Sequence, residues 1–239
     1  MKHRLYHPPP LESGQTLTLE RDRAHYLTRV LRLRRGAEIE CFDGIGHAWR
    51  ARIEDGGGHS SALTLVERLA DEPAPEPALH LVQGLLKGAA MDQVVQKATE
   101  LGATDLWPVL AERSNVPDAA ERLARRRQHW QRVIESAAEQ CGALHLPRLH
   151  EVRTVAAFFD APPQAQLILL DPGADALPLT LPRAALGVLV GPEGGWSEPE
   201  RQAALANGAR RHGLGTLVLR GETAPLAVLA AVRHGWGWA

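Results

Sequence analysis

Two glycine-bearing segments near the C-terminal end hold residues whose types and spacing could do chemistry. The first is an apolar strand that runs into a loop with three glycines, Val188-Leu189-Val190-Gly191-Pro192-Glu193-Gly194-Gly195-Trp196-Ser197. Glycine lets backbone N–H and C=O groups approach a ligand closely, and ligands bind at the carboxyl ends of parallel strands. A tight strand-to-helix connection would explain one or two glycines but hardly the whole run. We therefore expect a ligand loop, followed by a helix with Ser197 as its N-cap and Glu200 completing a capping box.

The second segment is Leu214-Gly215-Thr216-Leu217-Val218-Leu219-Arg220-Gly221-Glu222-Thr223-Ala224-Pro225. Its apolar residues predict a buried strand over Leu217–Leu219, and Pro225 suits the first turn of a following helix. The side chains of Arg220, Glu222 and Thr223 would then gather at the strand end, where they could orient a polar substrate. A structural role is equally compatible with this pattern, because Thr223 could cap the helix while Arg220 and Glu222 form an ion pair.

Several common catalytic signatures are absent from the sequence. It contains no Gly-x-x-x-x-Gly-Lys-[Ser/Thr] phosphate loop, no Gly-x-Gly-x-x-Gly after a strand and no Gly-x-Ser-x-Gly nucleophile elbow. The eleven histidines have no metal-ligand spacing, and Cys41 and Cys141 form no metal pattern. We therefore expect no metal site, and chemistry that comes from something other than a metal or a covalent nucleophile.

The predicted secondary structure that must position these loops differs on the two sides of the proline-rich segment Asp71–Ala78. This segment itself predicts a stiff linker. Before it, the pattern predicts a small barrel of short strands with one helix, namely Gln15–Glu20, Ala37–Phe42, His47–Glu54, Ala62–Leu69 and the helix Arg21–Leu33. After it, apolar strands alternate with helices, as in a parallel sheet covered on both faces. Those strands are Leu79–Leu86, Asp105–Leu110, Leu167–Leu170 and Leu186–Val190, and the helices are Met91–Leu101, Asp118–Cys141, Glu198–Asn207 and one from Pro225 onward.

The charge distribution is uneven although the 239 residues have a net charge of −1. Residues 1–35 carry eight basic and three acidic side chains, whereas residues 36–76 carry three basic and nine acidic ones. A basic block of this kind suggests a surface that faces a polyanion such as nucleic acid. No apolar run reaches the roughly 18 residues of a membrane helix, and the N-terminus lacks a signal-peptide pattern. We expect a cytoplasmic protein without a membrane partner.

The two C-terminal motifs together resemble those of the SPOUT methyltransferases. Within that superfamily the chain is similar to the ribosomal RNA small subunit methyltransferase E family, which methylates N3 of a uridine in 16S ribosomal RNA. The resemblance covers nearly the whole chain, because further matching motifs are Arg4-x-Tyr6, His25-x-x-x-Arg29-Val30-Leu31-Arg32, Phe42-Asp43-Gly44, Lys87-Gly88-x-x-Met91-Asp92, Gln96–Gly102, Glu112-Arg113-Ser114 and Glu139-Gln140-Cys141-Gly142. The chain departs from the family pattern at Ala143, Leu217 and Pro225, which weakens the expected choice of target more than the methyltransferase assignment.

The resemblance implies an α/β fold with a PUA-like RNA-binding β-barrel over residues 1–72, a linker over 73–78 and a SPOUT trefoil-knot domain with a mainly parallel sheet over 79–239. It also implies a homodimer formed through the knot domain. The cofactor would be S-adenosyl-L-methionine, held by three loops that follow Leu170, Val190 and Leu214. The partner would be 16S ribosomal RNA or the small ribosomal subunit.

The resemblance also implies roles for individual residues. The expected catalytic residues are Arg220, which would stabilise negative charge on the uracil oxygens, and Glu222, which would orient Arg220. The expected cofactor-binding residues are Leu170, Val190, Gly191, Pro192, Glu193, Gly194, Gly195, Leu214, Gly215, Leu219, Arg220, Thr223 and Ala224. The expected RNA-binding residues are Arg4, Arg29, Arg32, Lys97 and Arg113. Two alternatives remain: a SPOUT methyltransferase with another RNA target, and a non-catalytic RNA-binding protein with a vestigial knot.

Overall fold

The computed structural model describes residues 3–54, 61–116, 119–178 and 181–237. The chain forms two compact units. Unit 1 comprises Met1–Ala74 together with Ala138–Leu146, and unit 2 comprises Pro75–Ala137 together with Pro147–Ala239. The return of Ala138–Leu146 to the N-terminal unit was not expected from the sequence, where the long helix and the residues after it were assigned wholly to the C-terminal domain.

Unit 1 is built on a five-stranded sheet with the order β1-β3-β4-β5-β2. Its strands are β1 (Arg4–Tyr6), β2 (Thr16–Leu19), β3 (Glu38–Phe42), β4 (His47–Ile53) and β5 (Ser61–Asp71). Strands β1 and β3 pair in parallel and the others are antiparallel. The predicted helix Arg21–Leu33 is shorter, because α1 (Arg21–His25) continues only as a π-helical turn over Tyr26–Val30. Alternate residues of the strands pack with Ala24 and Leu27 of this helical segment to form the core.

Arg4 contributes to the interior of unit 1, which corrects the expectation that it binds RNA. Its side chain is only 9% exposed and its Nε donates to Glu40 Oε1 over 2.7 Å. Its Nη1 donates to the backbone oxygen of Ala138 over 2.8 Å, and its guanidinium lies 4.6 Å from the ring centre of Phe42. Because these contacts already occupy the guanidinium, Arg4 is not available to a phosphate.

Unit 2 contains a sheet of seven parallel strands in the order β12-β10-β11-β6-β7-β8, with β9 also paired to β7. The strands are β6 (Leu79–Gly84), β7 (Asp105–Leu110), β8 (Arg148–Leu149), β9 (Arg153–Thr154), β10 (Gln166–Leu170), β11 (Leu186–Val190) and β12 (Arg210–His212). The helices are α2 (Ala89–Glu100), α3 (Ala120–Cys141), α4 (Val155–Phe159), α5 (Glu198–Ala206) and α6 (Thr223–Gly235). Residues of β6 and β11 are buried along their whole length, so the predicted α/β class with a parallel sheet is confirmed. The predicted helix start at Asp118 falls outside the described residues.

The strand predicted over Leu217–Leu219 is wrong. These residues form an irregular loop, and Leu217 and Val218 are each 78% exposed. The strand in this region is β12, which lies earlier in the chain and pairs only with β10 at the edge of the sheet. Its sequence is Arg-Arg-His, so it lacks the apolar pattern by which a buried strand is recognised.

Two further findings concern ions and membranes. Within the described ranges no group of three or more His, Cys, Asp or Glu side chains could hold a metal ion. No helix in the same ranges combines the length and the apolar character needed to cross a bilayer.

Candidate functional site

A cavity of about 740 Å³ lies in unit 2 at the carboxyl ends of the neighbouring strands β12, β10 and β11. The loops that follow these three strands, together with the loop that leads into α6, form its walls. Of the residues expected to bind a cofactor, those around the cavity are Leu170, Val190, Gly191, Pro192, Glu193, Gly194, Gly195, Leu214, Gly215, Leu219, Arg220 and Ala224. Glu222 also lines it, whereas Thr223 does not.

The loop after β11 requires glycine at two positions for different reasons, a positive φ at Gly195 and a close contact at Gly194. Gly195 has a φ of +69°, and its N–H donates to the oxygen of Pro192 over 2.8 Å to close the turn. A Cβ on Gly194 would lie 2.9 Å from the Cβ of Arg113, which is too close for any pair of real side chains. Arg113 itself donates from Nη1 to the oxygen of Gly194 over 3.1 Å. The glycine run is therefore shaped by Arg113 packing as well as by the cavity.

Two carboxylates attach this loop to its neighbours. Glu200 in α5 accepts the N–H of Ser197 over 2.9 Å and the N–H of Glu112 over 2.8 Å. Glu193 accepts the N–H of Lys87, which follows β6, over 3.1 Å. The predicted helix start at Ser197 is confirmed, since α5 begins at the next residue. The loop is thus tied to the ends of β6 and β7, the two strands that follow β11 across the sheet.

Arg220 is an exposed polar residue of the loop that leads into α6. Its side chain is 86% exposed, and its Nη1 lies 3.9 Å from Oε1 of Glu222, which is 22% exposed. The backbone oxygen of Arg220 accepts the N–H groups of Thr223 and Ala224 over 2.9 and 3.0 Å, so the helix begins here. Glu222 is the N-cap residue and Thr223 is the first helical residue, which shows that Thr223 does not cap α6. The guanidinium of Arg220 is left open to solvent at the cavity.

Sequence reasoning missed several residues that build the cavity. Asp171 is 5% exposed and its Oδ2 pairs with Arg211 over 2.8 Å and with Arg201 over 3.2 Å, which links β10, β12 and α5. In the described structure, Trp196 Nε1 and His212 Nδ1 are buried without a hydrogen-bond partner, and both residues line the cavity. An acid directly after a buried strand was the only sequence signal for Asp171, and nothing marked Trp196 or His212.

The residues expected to bind RNA are divided between the two units. Arg29 and Arg32 are exposed on unit 1, and Arg32 has a φ of +55° just after the π-helical turn. Lys97 lies on α2 of unit 2, where its Nζ pairs with Glu100 over 2.8 Å. Arg113 lies against Gly194 as described above.

Comparison with known proteins covers both units of the chain. Residues 73–233 match the family model of an RNA methyltransferase domain, and residues 19–66 match that of an RNA methyltransferase PUA domain. The ribosomal RNA small subunit methyltransferase E of Synechocystis sp. is 34% identical, over 97% of this chain and 77% of its own length. That of Bacillus subtilis is 25% identical, over 94% of this chain and 92% of its own length.

Solved structures agree with the sequence relatives. A ribosomal RNA small subunit methyltransferase E from Neisseria gonorrhoeae, bound to S-adenosyl methionine, is 33% identical with a TM-score of 0.88 over 98% of both chains. A putative methyltransferase from Legionella pneumophila, in complex with the same cofactor, is 28% identical with a TM-score of 0.91 over 98% of both chains. The resemblance predicted from the motifs is confirmed, and so is the PUA domain at the N-terminus. The chain belongs to the ribosomal RNA small subunit methyltransferase E family.

Proposed function

We propose that this protein transfers the methyl group of S-adenosyl-L-methionine to N3 of a uridine in 16S ribosomal RNA of the small subunit. The cavity at the carboxyl ends of β12, β10 and β11 is the observation that carries this proposal, because it lies where parallel α/β sheets bind ligands. Family membership supports the reaction class. The two relatives crystallised with S-adenosyl methionine share the fold over nearly their whole length, which supports the same cofactor here.

The residues around the cavity fit such a cofactor. A volume of about 740 Å³ falls within the range of about 300–1,000 Å³ that small-molecule sites occupy. Leu170, Val190 and Leu219 supply apolar walls for an adenine ring, and the glycine loop supplies backbone hydrogen-bonding groups.

Methylation of uracil N3 needs a positioned electrophile, an unpaired base and loss of the N3 proton. The cofactor supplies a methyl group on a positively charged sulfonium. Arg220 holds a charge-assisted donor in the open at the cavity, where it stabilises negative charge that develops on the uracil oxygens. Glu222, half-buried beside it, orients the guanidinium. N3 is hidden in a base pair, so the target must be single-stranded or flipped out of its helix.

RNA binding is proposed for residues on both units. Residues 1–72 would form the RNA-binding domain, joined by the linker 73–78 to the methyltransferase domain 79–239. Arg29 and Arg32 on the first domain and Lys97 and Arg113 on the second would contact phosphates, which fix register rather than sequence. The proposed substrate places the activity in the cytoplasm.

A homodimer through the C-terminal domain is the proposed assembly. Leu217 and Val218 line the cavity and are each 78% exposed in the single chain. On α6, Val228 and Val232 are buried while Ala227 and Ala231, one turn apart, are exposed. Apolar groups left open beside a ligand cavity and along a terminal helix favour a second copy as their cover.

Two measurements test the proposed function. Calorimetric titration of the protein with S-adenosyl-L-methionine should give saturable binding. Mass mapping of methylated nucleotides in 16S ribosomal RNA, from cells with and without this protein, should show one N3-methyluridine that depends on it. Cofactor binding without any protein-dependent mark in 16S ribosomal RNA would point to another RNA target.

A further inference from the structure

A second cavity in unit 2, of about 640 Å³, lies between the start of α2 and the first half of α3. Its polar lining includes Lys87, Asp92, Arg125, Arg126 and His129. Trp130 also lines it but is only 1% exposed, so its ring is covered and offers no face on which a base could stack. The charged side chains, and not an aromatic face, are therefore the groups to which a ligand could bind in this cavity.

This cavity and the cavity at the ends of β10, β11 and β12 flank the same short segment of chain. Lys87, Gly88 and Ala89 line the second cavity, while Ala90 lines the first. The N–H of Lys87 donates to Glu193, a residue of the glycine loop, over 3.1 Å. A ligand in the second cavity would thus contact the segment that forms part of the wall of the first.

Asp92, an acidic residue of the second cavity, already has a hydrogen-bond partner at each carboxylate oxygen. Asp92 Oδ1 accepts from Trp130 Nε1 over 3.1 Å, and Asp92 Oδ2 lies 3.0 Å from His129 Nε2. Arg125 pairs with Glu121 on its own helix. Among the described residues, Lys87 and Arg126 have no carboxylate partner, so their two positive charges outnumber the single negative charge of Asp92 in this cavity.

Arg126 is held in a fixed position although it has no acidic partner. Its Nη2 donates to the backbone oxygen of Leu86 over 2.8 Å, and its guanidinium lies 5.2 Å from the ring centre of Trp130. An arginine fixed in this way loses little conformational freedom when it binds a planar or tetrahedral anion through its remaining N–H groups. The Arg126 side chain is therefore already ordered before the ligand binds.

We propose that this second cavity binds a backbone phosphate of the single-stranded RNA segment that carries the target uridine. The inference rests on the proposed function, which brings an RNA strand to the neighbouring cavity. Lys87 and Arg126 would hold one phosphate and so fix how far the strand extends past the first cavity. They are positioning residues, because they touch the RNA backbone and not the reacting base.

The test compares wild type with the double variant Lys87→Gln, Arg126→Gln. The probes are small ribosomal subunits that lack the mark, with affinity measured over a series of salt concentrations. Loss of one phosphate contact to single-stranded RNA reduces the slope of log affinity against log salt by about 0.7, so the double variant, which loses the one proposed contact, should show a slope smaller by about 0.7. The KM for subunits should rise about tenfold while kcat and the cofactor affinity are kept. Arg132→Gln, on the same helix but outside the cavity lining, is the matched control and should change neither slope nor KM.

Several outcomes would overturn the assignment. They are an unchanged salt slope, a loss confined to kcat, and tight binding of inorganic phosphate at constant ionic strength that the double variant abolishes. If the double variant does not fold, Lys87→Gln alone decides the question, because the backbone contact of Lys87 is kept and the slope should still fall, by at most about 0.7. A wild-type protein that binds subunits but does not methylate them would count against the proposed function instead, since the slope is measured by binding alone.

Discussion

The two expected catalytic side chains have very different surroundings although they lie 3.9 Å apart. Arg220 is 86% exposed and Glu222 is 22% exposed. An ion pair with one partner this exposed stabilises a fold by little, because water screens it and the long side chain must be ordered. Folding therefore gains little from Arg220, and its guanidinium is available to a substrate.

Replacing Arg220 by alanine should separate chemistry from binding. A donor that acts on developing negative charge affects turnover far more than affinity, and comparable oxyanion donors contribute about 10²–10³ in rate. Single-turnover assays on small subunits, at saturating RNA and cofactor, should show a loss of that size for Arg220→Ala. Near-normal turnover would remove Arg220 from the catalytic role.

Gly194 gives a second prediction at this scale. A Cβ added at Gly194 would lie 2.9 Å from Arg113 Cβ. Gly194→Val should displace the glycine loop from Arg113 and weaken calorimetric S-adenosyl-L-methionine binding by at least tenfold in a protein that still folds. Gly235→Ala, at a glycine without a positive φ, with no atom within 4 Å of an added Cβ and outside the cavity lining, is the control. Unchanged cofactor affinity in folded Gly194→Val would show that the loop does not depend on this contact.

The strands show what sequence patterns can and cannot locate. The bounds of β7 and β11 agree with the prediction, because both strands are apolar and lie inside the sheet. The loop after β11 could likewise be placed from its glycines and from the helix start at Ser197. Strand β12 is a short, polar edge strand and so lacks the apolar pattern of a buried one. Leu217–Leu219 has that apolar pattern although Leu217 and Val218 are exposed, so the pattern alone does not distinguish the two cases. The pairing of Asp171 with arginines from two other elements depends on tertiary contacts that no local pattern encodes.

The amino ends of β6 and β7 carry a polar cluster far along the strands from the cavity. Asp105 Oδ1 lies 2.8 Å from His150 Nε2, and its Oδ2 accepts from Thr104 Oγ1 over 2.9 Å and lies 3.3 Å from His80 Nδ1. Burial raises the pKa of Asp105, but the hydrogen bonds from His150, His80 and Thr104 outweigh it, so the pKa lies below the ordinary aspartate value. The ring of Trp107 stacks on His150 with a centroid separation of 3.3 Å, which holds the cluster in place.

This cluster predicts a pH-dependent stability. A carboxyl group with a depressed pKa stabilises the fold above its ordinary value of about 3.9, and this stabilisation is lost as the pH falls below it. Asp105→Asn should therefore lower the free energy of unfolding by about 1–3 kcal/mol at pH 7, and the difference from wild type should narrow toward pH 3. Urea unfolding over this pH range measures it. If the difference in unfolding free energy between wild type and Asp105→Asn stays constant down to pH 3, ionisation of Asp105 does not contribute to stability.

For the whole molecule, the proposed function assigns only RNA binding to unit 1 and methyl transfer to unit 2. We therefore predict that substitutions in unit 1 change RNA affinity alone. Arg29 is exposed on unit 1 and acts, in the proposal, through phosphates. Arg29→Gln should weaken subunit binding about threefold and reduce its salt slope by about 0.7, with turnover at saturation kept. Arg220→Ala, measured in the same assays, should lose turnover at saturation and keep its affinity for subunits. A loss of turnover at saturation in Arg29→Gln would contradict the assignment of RNA binding alone to unit 1.

The proposed homodimer makes the fifth prediction. Ala231 is exposed on α6, beside the buried Val232, and an arginine there would place a charge in the proposed interface. Light scattering should give a dimer mass for wild type and a monomer mass for Ala231→Arg. Ala206→Arg, at the exposed end of α5, should remain a dimer. A monomer mass for wild type at every concentration would exclude this assembly.

The return of Ala138–Leu146 to unit 1 has a consequence for synthesis on the ribosome. Arg4 needs the backbone oxygen of Ala138, Tyr6 donates its N–H to Glu139, and Phe42 packs with Ala138 and Leu144. None of these partners exists when residues 1–74 have just left the exit tunnel. The N-terminal unit must therefore wait, with Arg4 and Phe42 uncovered, until residues 75–137 have been translated and the end of α3 has emerged. Its folding completes after, and not before, much of the methyltransferase half has been made. A nascent chain with only residues 1–74 outside the tunnel would hold all five strands of the sheet but leave Arg4 and Phe42 uncovered and the unit sensitive to protease.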